Sequence, residues 1–476
     1  FFISRDRFGV KPLYYFRSNG RFVFASEIKA LLHHPLAPRQ PNMGYCREYL
    51  ARGAREYLQE TAFEDIFRIR NASWLLGTAE EFGSGRAKEQ VFWTLAPNLE
   101  NEPFQDSRCS SIASEYYELL KDAVGLRLRS DVKVGSALSG GLDSSSVVAL
   151  INANLRDQGL QEKQETFSCV YKSEGTEDCD ESGYIDLLVK ALGVRSNQIE
   201  PRVEDVPAEH EKMVFFMDTP PDNTAMSGWH TFKQVSRSDV IVTLDGQGAD
   251  EQMGGYLSYL ASYLGGCSNA LTEYGSLRAL PGARRFADAG LTLWAARRVL
   301  GGKVAGWLWE RAGGPRSALE PLNEVLANDS QMGLVTLIHY SDRVSMAHSR
   351  ESRMPFLDFR LAEFLASVPA AYKIRRGWTK YIARLAFEGI LPAAVTWRRD
   401  KMGWPIPEEW WFRGPLRGWF CGRIETSRIL REMGVGERIR EEVERGVPMR
   451  ELVRLLNLAV WADIFFERQG LSSITA

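Results

Sequence analysis

A segment rich in glycine and serine could bind phosphate. Residues 139–145 read Ser-Gly-Gly-Leu-Asp-Ser-Ser and lie between a predicted strand and a predicted helix. Glycines let backbone N–H groups approach an anion closely, and the start of a helix adds hydrogen-bond donors and partial positive charge. The segment lacks the Gly-Lys-Ser/Thr end of a Walker loop, so it predicts a phosphate cradle of another kind.

The same segment contains one carboxylate, Asp143. Phosphate oxygens would repel this side chain unless a cation lay between them, and oxygen ligands with substrate phosphates are what Mg²⁺ prefers. We therefore infer a magnesium ion beside Asp143. The alternative is a serine-rich helix cap, which a bare Ser-Gly-Gly would more often be; the complete segment after a strand favours the phosphate cradle.

A second glycine-rich turn follows another predicted strand. Residues 244–251 read Leu-Asp-Gly-Gln-Gly-Ala-Asp-Glu and come directly after the apolar residues 240–242. Asp250 could supply a second carboxylate to the same metal, and the peptide around Gly246 could face a nucleotide. Alone, a loop of Gly and Asp is more often an ordinary turn. The presence of both loops makes the prediction of a metal and nucleotide site more specific than either loop does alone.

A third segment supplies positive charge. Residues 397–404 read Trp-Arg-Arg-Asp-Lys-Met-Gly-Trp. Cleavage between the α and β phosphates of ATP develops charge on pyrophosphate, which an aimed lysine stabilises. Lys401 is the candidate for that role, with Lys380 and Arg384 as supporting charges. From the residues alone, a solvated basic surface is an equally good interpretation.

The elements around these motifs alternate between strand and helix. The pattern predicts strands at 132–138, 166–171 and 240–244, and helices at 145–154 and 181–192. Such alternation indicates an α/β fold with a parallel sheet between helices, whose ligands bind at the carboxyl ends of the strands. The chain from about residue 256 onward reads as mainly helical.

The first 95 residues have a different pattern, with short strand-like stretches, turns and two short helices. Residues 96–108 turn to Pro, Asn, Glu, Gln, Asp and Ser, with little to bury. We therefore predict a β-rich domain at 1–95, a linker at 96–108 and a second domain at 109–476. The chain begins Phe-Phe-Ile-Ser without a methionine, which suggests that an upstream part of a larger protein is missing.

Composition excludes several classes of protein. The 476 residues include 44% hydrophobic and 25% charged residues, close to the average for globular proteins, and the net charge is −2. That charge gives no general attraction to nucleic acid, and no run of about 18 apolar residues could cross a bilayer. The six cysteines lack Cys-x-x-Cys spacing, which fits a reducing cytoplasm better than zinc or disulfides.

Several motifs together resemble the glutamine-dependent asparagine synthetase family. Besides the first two loops, the similarity includes Asp-Glu-Ser at 180–182, residues 342–358, and Arg-Arg-Asp-Lys-Met-Gly-Trp-Pro-Ile-Pro at 398–407. The opening, residues 5–15 and 24–32, resembles the last third of that family's class II glutaminase domain. The amino-terminal Cys nucleophile of such domains does not lie in this chain, and Cys46 and Cys109 do not stand in its place.

The resemblance implies a synthetase domain of the N-type ATP pyrophosphatase kind and a reaction in two halves. ATP and the side-chain carboxylate of aspartate give an acyl-adenylate and pyrophosphate, and ammonia then releases asparagine and AMP. Asp143 and Asp250 would hold Mg²⁺, and Lys401 would act in catalysis. Glu351 and Arg353 are weaker substrate candidates, for which packing is slightly favoured. The implied ligands of ATP and pyrophosphate are Leu138, Ser139, Gly140, Gly141, Ser144, Ser145, Cys169, Asp245, Gly246, Lys380 and Arg384.

Two other interpretations stay open. Related folds close β-lactam rings or the macrolactam of lasso peptides, where an internal amine replaces ammonia and no glutaminase is needed. A non-catalytic homologue would need the acidic and hydroxyl residues to be lost, and they are present. The expected partners are ATP, an amino acid, and ammonia or glutamine, with neither nucleic acid nor membrane; a homodimer is one option.

The stretch 257–330 departs from the family. It contains Leu-Thr-Leu-Trp-Ala-Ala-Arg-Arg at 291–298 and Trp-Leu-Trp at 307–309. An amphipathic basic helix of this kind could lie on a membrane or meet a partner. An ordinary packed helix is favoured.

Overall fold

A parallel sheet of five strands lies at the centre of the larger part of the chain. The computed structural model describes residues 1–100, 102–159, 163–400 and 405–468. The described strands are β1 (Phe2–Arg5), β2 (Tyr14–Ser18), β3 (Arg21–Ala25), β4 (Phe67–Arg68), β5 (Ser73–Leu76), β6 (Gln90–Val91), β7 (Val134–Ala137), β8 (Glu165–Cys169), β9 (Arg195–Ile199), β10 (Val242–Leu244) and β11 (Glu351–Arg353).

Helices make up most of the rest. Those up to residue 278 are α1 (Ile28–Leu32), α2 (Met43–Arg52), α3 (Ala79–Ser84), α4 (Asp106–Arg127), α5 (Leu142–Asp157), α6 (Ser182–Leu192), α7 (Val206–Met217), α8 (Met226–Ser236), α9 (Ala249–Met253), α10 (Tyr259–Gly266) and α11 (Ala270–Arg278). They continue as α12 (Arg284–Leu300), α13 (Gly302–Arg311), α14 (Leu322–Gln331), α15 (Gly333–Ala347), α16 (Phe359–Ser367), α17 (Ala370–Lys373), α18 (Tyr381–Ala386), α19 (Ala393–Thr396), α20 (Glu408–Arg413), α21 (Arg417–Thr426), α22 (Arg428–Glu432), α23 (Ile439–Glu444) and α24 (Met449–Ala462). None of these described helices is both long and apolar enough to cross a membrane.

The order of the central sheet creates a switch point. The strands run β11-β10-β7-β8-β9, so the chain starts in the middle at β7, proceeds outward to β9 and then returns to the other side of β7 for β10. All neighbouring pairs are parallel. In open sheets of this kind, ligands bind where the direction of strand addition reverses, outside the carboxyl ends of the strands. Here that place lies beyond β7 and β10.

Helices cover both faces of the sheet. On one face α4, α5 and α6 pack with buried residues such as Val147 and Leu188. On the other face α7, α8 and α15 bury residues such as Met213 and Trp229. The α/β fold with a parallel sheet between helices is therefore confirmed.

The amino-terminal residues form two antiparallel sheets, β1-β5-β6 and β3-β2-β4. They contact the larger part through polar groups as well as through a shared apolar core. Lys11 Nζ lies 2.8 Å from Asp342 Oδ1, and Arg343 donates to the carbonyl oxygen of Ser26 at 2.7 Å. The β-rich beginning expected from the sequence is present.

Some element boundaries differ from the sequence-based expectations. Helix α5 begins at Leu142 and not at residue 145, because Gly141 already has the extended backbone of a cap residue. Strands β9 and β11 were missed. Their sequences, Arg-Ser-Asn-Gln-Ile and Glu-Ser-Arg, are too polar and short to show the apolar pattern by which strands are recognised.

Candidate active site

Two loops meet at the switch point of the sheet. One connects β7 to α5 and carries Ser139, and the other connects β10 to α9 and carries Gly246. The first turn of a helix presents backbone N–H groups that can bind an anion, and in α5 this turn includes Asp143 and Ser144. The hydroxyl oxygens of Ser139 and Ser144 are 3.0 Å apart, and the Ser145 hydroxyl donates to the carbonyl of Gly141 at 2.5 Å. These contacts fix the shape of the first loop.

Gly246 allows the two loops to touch. A Cβ atom at this position would lie 2.7 Å from the backbone nitrogen of Ser144 and 3.0 Å from the carbonyl carbon of Asp143. Both atoms belong to the backbone of α5, so they cannot move aside as a flexible side chain would. Glycine is therefore required for the second loop to lie against the start of the helix.

The variant Gly246→Ala tests this contact. We expect turnover to fall between about tenfold and a hundredfold, because the added methyl group displaces the phosphate-facing end of α5. Gly183→Ala in α6 is a matched control, since a Cβ there meets nothing within 4 Å. Steady-state kinetics on both variants provide the measurement. Equal turnover in the two variants would contradict the role given to Gly246.

An ammonium group joins the two predicted metal-binding carboxylates. Lys380 Nζ lies 2.5 Å from Asp143 Oδ2 and 2.6 Å from Asp250 Oδ1. The two carboxylate oxygens thus approach a common point from two different loops. The side chains of Lys380, Asp143 and Asp250 are 6%, 18% and 15% exposed, so the cluster is mostly removed from water.

The lysine of this cluster stays charged. Burial alone would lower the pKa of Lys380, but the two carboxylates outweigh burial and raise the pKa above its ordinary value. Gly255 leaves room for the cluster, because a Cβ there would lie 1.7 Å from Asp250 Oδ1 and 2.4 Å from Lys380 Cε. A positive charge therefore lies between two negative ones beside the first loop.

Arg384 organises the segment that leads to residue 400. Its guanidinium donates to the carbonyl oxygens of Thr379 at 2.8 Å, Thr396 at 2.6 Å and Arg398 at 3.0 Å. Burial lowers the pKa of Arg384 to about 10, against the opposing effect of the carboxylates of Asp143 and Asp250. Arg384 remains a cation at neutral pH and holds the segment in place.

Arg398 connects the segment that leads to residue 400 to side chains that lie next to the first loop. It binds both carboxylate oxygens of Glu181, at 2.5 and 2.7 Å, and Asp400 at 3.0 Å. Its guanidinium carbon lies 3.8 Å from the ring centroid of Tyr184. Gly140, with φ of +78°, packs against Tyr184, so Arg398 and the first loop share a support.

Most of the residues predicted to form the site line one cavity of about 300 Å³. The predicted residues that line it are Ser139, Gly141, Asp143, Ser144, Asp245, Gly246, Asp250, Lys380 and Arg384. They come from three regions of the chain that are more than a hundred positions apart. The fold therefore brings the three motifs to one place.

Asp245 has a supporting position at the wall of this cavity. Its carboxylate accepts hydrogen bonds from the hydroxyls of Ser352 at 2.5 Å and Ser341 at 3.0 Å. Burial raises the pKa of Asp245, while the two hydroxyls oppose that rise. The side chain ties β10 to β11 and α15, which leaves its peptide to face the cavity.

Other predicted residues lie outside the cavity lining. Leu138 and Gly140 lie in the first loop, Ser145 lies in the first turn of α5, and Cys169 ends β8. Glu351 and Arg353 lie on the edge strand β11, where their side chains pair at 2.9 Å; Arg353 also binds the carbonyl oxygens of residues 127 and 129. These contacts connect β11 to residues at and just after the end of α4. Lys401 lies outside the described residues.

Sequence reasoning missed several residues of the cavity wall. Helix α15 contributes Leu337, Tyr340, Ser341 and Val344, and the approach to α8 contributes Asn223, Ala225, Ser227 and Gly228. The spacing of the α15 residues marks one helical face. Sequence alone does not tell whether such a face meets a core or a cavity.

A second chamber of about 520 Å³ adjoins the first. Asn223, Tyr256, Leu337 and Tyr340 line both. The second chamber also has Glu251, whose carboxylate accepts a hydrogen bond from the Tyr256 hydroxyl at 2.6 Å. Its lining also includes Arg52, Ala54, Arg55 and Tyr57 of the amino-terminal part.

Comparisons with known proteins agree with this geometry. A family model described as asparagine synthase matches residues 115–463, and one described as a glutamine amidotransferase domain matches residues 1–93. A Mycobacterium tuberculosis protein, named provisionally as a glutamine-hydrolysing asparagine synthetase, is 28% identical over 523 residues, covering 100% of this chain and 76% of the relative.

Two further relatives show the range of the similarity. Glutamine-hydrolysing asparagine synthetase 3 of Bacillus subtilis is 28% identical over 417 residues, which cover 86% of this chain and 65% of the relative. Amidase chry2 of Gibberella zeae is 25% identical over 477 residues, which cover 87% of this chain and 68% of the relative.

Proposed function

Because the chain belongs to the asparagine synthetase family, we propose that it activates a carboxylate with ATP and then joins it to nitrogen. The family makes it a carbon–nitrogen ligase of the amidotransferase type. The proposed reaction converts aspartate, ATP and ammonia into asparagine, AMP and pyrophosphate. The observation that carries the proposal is the convergence of Asp143, Asp250 and Lys380 beside the first turn of α5, in one cavity.

In the first half-reaction, an oxygen of the substrate carboxylate attacks the α-phosphorus of ATP. The bond from that phosphorus to the bridging oxygen breaks, and pyrophosphate leaves with the electron pair. The first turn of α5 and the Ser139 hydroxyl would bind the pyrophosphate oxygens. Lys380 and Arg384 add fixed positive charge where negative charge develops, so the surroundings need little reorganisation.

The residues present fit a magnesium ion. Carboxylates are hard oxygen ligands, and Mg²⁺ usually takes only one or two of them, with phosphates and water completing its shell. Asp143 and Asp250 share the Lys380 ammonium in the structure, so their arrangement suits positive charge, and the ammonium would have to move away from any carboxylate oxygen that coordinates the ion. In the described part of the chain no group of three His, Cys, Asp or Glu forms a metal site, so two carboxylates are the proposed ligands. When bound, the ion would neutralise phosphate charge.

In the second half-reaction, the nitrogen lone pair attacks the acyl carbon of the adenylate. The carbon–oxygen bond to AMP breaks, AMP leaves with the bridging oxygen, and the nitrogen loses a proton to give the amide. Ammonia would come from glutamine, consistent with the amidotransferase match at residues 1–93. The second chamber, which shares Tyr256 and Tyr340 with the first, is the proposed route of the amine.

The second chamber also favours one alternative. A cavity of about 520 Å³ is far larger than ammonia requires, and it would accept a substrate that carries its own amine. The same adenylation would then close a β-lactam or a macrolactam. Product mass distinguishes the two reactions, because ring closure loses water from one substrate whereas amidation adds the nitrogen of ammonia.

The proposal is tested by incubating the purified chain with ATP, Mg²⁺, ammonia and a panel of amino acids while pyrophosphate is measured. Release that depends on aspartate supports the proposed reaction. Release without any added amino acid, at the same rate, would contradict it. Labelled ammonia reports whether nitrogen enters the product.

The variant Lys401→Ala tests the role inferred for this lysine. We expect turnover to fall about a hundredfold or more, because one charge that stabilises the leaving pyrophosphate is lost. Arg399→Ala is the control, since its guanidinium lies over the ring of Trp378 at 4.7 Å. Single-turnover pyrophosphate release measures the chemical step. An unchanged rate in Lys401→Ala would remove this residue from catalysis.

The wider organisation is also a proposal. We infer a glutaminase-like domain at 1–95, a linker at 96–108 and the synthetase domain at 109–476, although helix α4 already begins at Asp106. A cytoplasmic protein is proposed because all six cysteines are free thiols.

A further inference from the structure

Helices α12 and α13 form a hairpin at the edge of the synthetase part. They are joined at Gly301, whose φ of +77° turns the chain. Helix α12 packs on α10 and α11, whereas α13 packs chiefly on α12. Only Ala305 of α13 is fully buried. The outer side of α13 therefore does not pack against the core of the chain.

An apolar stripe runs along that outer side. Val304, Trp307 and Leu308 follow one another at the spacing of a helical face and are 49%, 57% and 42% exposed. Val299, just before the turn, is 81% exposed. Single exposed apolar residues are normal on a surface, but a run that includes a tryptophan indicates an interaction surface.

The hairpin is also strongly basic. Between Arg284 and Arg311 there are six cations and two carboxylates, a net charge of +4 in a chain whose total is −2. Arg298, Lys303 and Arg311 are exposed, and none of them forms an ion pair with a carboxylate of the described residues. Arg311 lies over the Trp307 ring at 5.4 Å, at the margin of the apolar stripe.

We propose that the tip of this hairpin binds reversibly to an anionic lipid surface. Aliphatic residues and a tryptophan on one face, with lysine and arginine at the margins, are typical of helices that lie in the headgroup region of a membrane. Each unpaired cation near such a surface adds attraction. This surface is separate from the ATP site. Residues 291–298 belong to α12, which packs on α10 and α11 as an ordinary helix does, so the proposal concerns α13 and the turn before it.

Charge argues against a symmetric dimer, and the pattern of the apolar residues argues against an acidic protein. In a symmetric dimer the same patch would face itself, and a net charge of +4 would oppose an equal charge. An acidic protein could match the charge. The interfacial pattern of Trp307 with Val304 and Leu308, however, matches the lipid headgroup region without needing a complementary protein groove.

Vesicle co-sedimentation of the full chain tests the proposal. Vesicles of equal parts phosphatidylglycerol and phosphatidylcholine should bind the protein, and vesicles of phosphatidylcholine alone should bind it at least about fivefold more weakly. Salt at about 1 M should abolish the difference, because it screens exposed charges. Absence of binding to the anionic vesicles overturns the proposal, and so does equal binding to both kinds.

Three variants locate the contact. Val304→Glu should weaken binding about tenfold or more, because it places a negative charge in the stripe. Lys303→Ala should weaken it about fivefold. Val132→Glu is the matched control, because Val132 is 46% exposed but lies outside the hairpin; it should bind like the parent. Pyrophosphate release should stay unchanged in all three.

The same variants distinguish lipid binding at the hairpin from lipid binding elsewhere on the protein and from self-association through the apolar stripe. If Val304→Glu and Val132→Glu bind vesicles equally, the hairpin is not the lipid contact. If light scattering shows that Val304→Glu turns a dimer into a monomer, the stripe is a self-association surface. Either result contradicts the proposal.

Discussion

Replacing Asp143 or Asp250 by alanine is expected to reduce pyrophosphate release by at least about a hundredfold. Both carboxylates approach the Lys380 ammonium, at 2.5 and 2.6 Å, beside the first turn of α5. In the proposed magnesium site, loss of either carboxylate would remove a ligand of the ion and leave charge on the departing pyrophosphate poorly neutralised. Single-turnover release of pyrophosphate measures this effect apart from product release.

A matched control comes from the same helix. Asp157 lies at the far end of α5, and its side chain is 62% exposed and pairs with Lys121. Asp157→Ala should release pyrophosphate at the parental rate. Circular dichroism should show a folded protein in all three variants. Parental activity in both Asp143→Ala and Asp250→Ala would refute the assignment of these carboxylates to the site.

The second large effect is expected for Lys380→Met. Removal of the ammonium leaves two carboxylates near each other in a site where each is less than a fifth exposed. We expect the free energy of unfolding to fall by about 3 kcal/mol at neutral pH, within the range for breaking a buried ion pair. Turnover should fall at least about a hundredfold, because the fixed positive charge is lost.

Two comparisons identify the cause of this destabilisation. The double variant Lys380→Met with Asp250→Asn should regain much of the lost stability, since it removes the like-charge pair, but none of the lost activity. Millimolar Mg²⁺ should raise the melting temperature of Lys380→Met more than that of the parent, because the ion replaces the missing cation between the carboxylates. Equal melting temperatures for Lys380→Met and the parent would show that the cluster does not hold the loops together.

Local sequence was enough to predict that residues 139–145 connect a strand to a helix. The glycines, serines and Asp143 of residues 139–145 are consecutive, so their chemistry and their place between a strand and a helix can be read from one segment. Even there the helix began three residues earlier than predicted, because glycine at 141 serves as its cap. That shift places Asp143 and Ser144 in the first helical turn.

Long-range partners could not be predicted in the same way. Lys380 contacts Asp143 across 237 positions of sequence, and nothing in residues 377–384 shows that this lysine, and not a neighbouring cation, lies between the carboxylates. Strand β11 is another example, because its polar residues give no apolar alternation. Without that strand, the pairing of Glu351 with Arg353 cannot be distinguished from a substrate contact.

The most direct test of acyl-adenylate formation follows an oxygen atom. Aspartate labelled with ¹⁸O in its side-chain carboxylate is turned over with ATP and ammonia, and the products are analysed by mass spectrometry. Attack on the α-phosphorus predicts one ¹⁸O atom in AMP and an unlabelled pyrophosphate. Label in inorganic phosphate, or AMP without label, would contradict activation by adenylation.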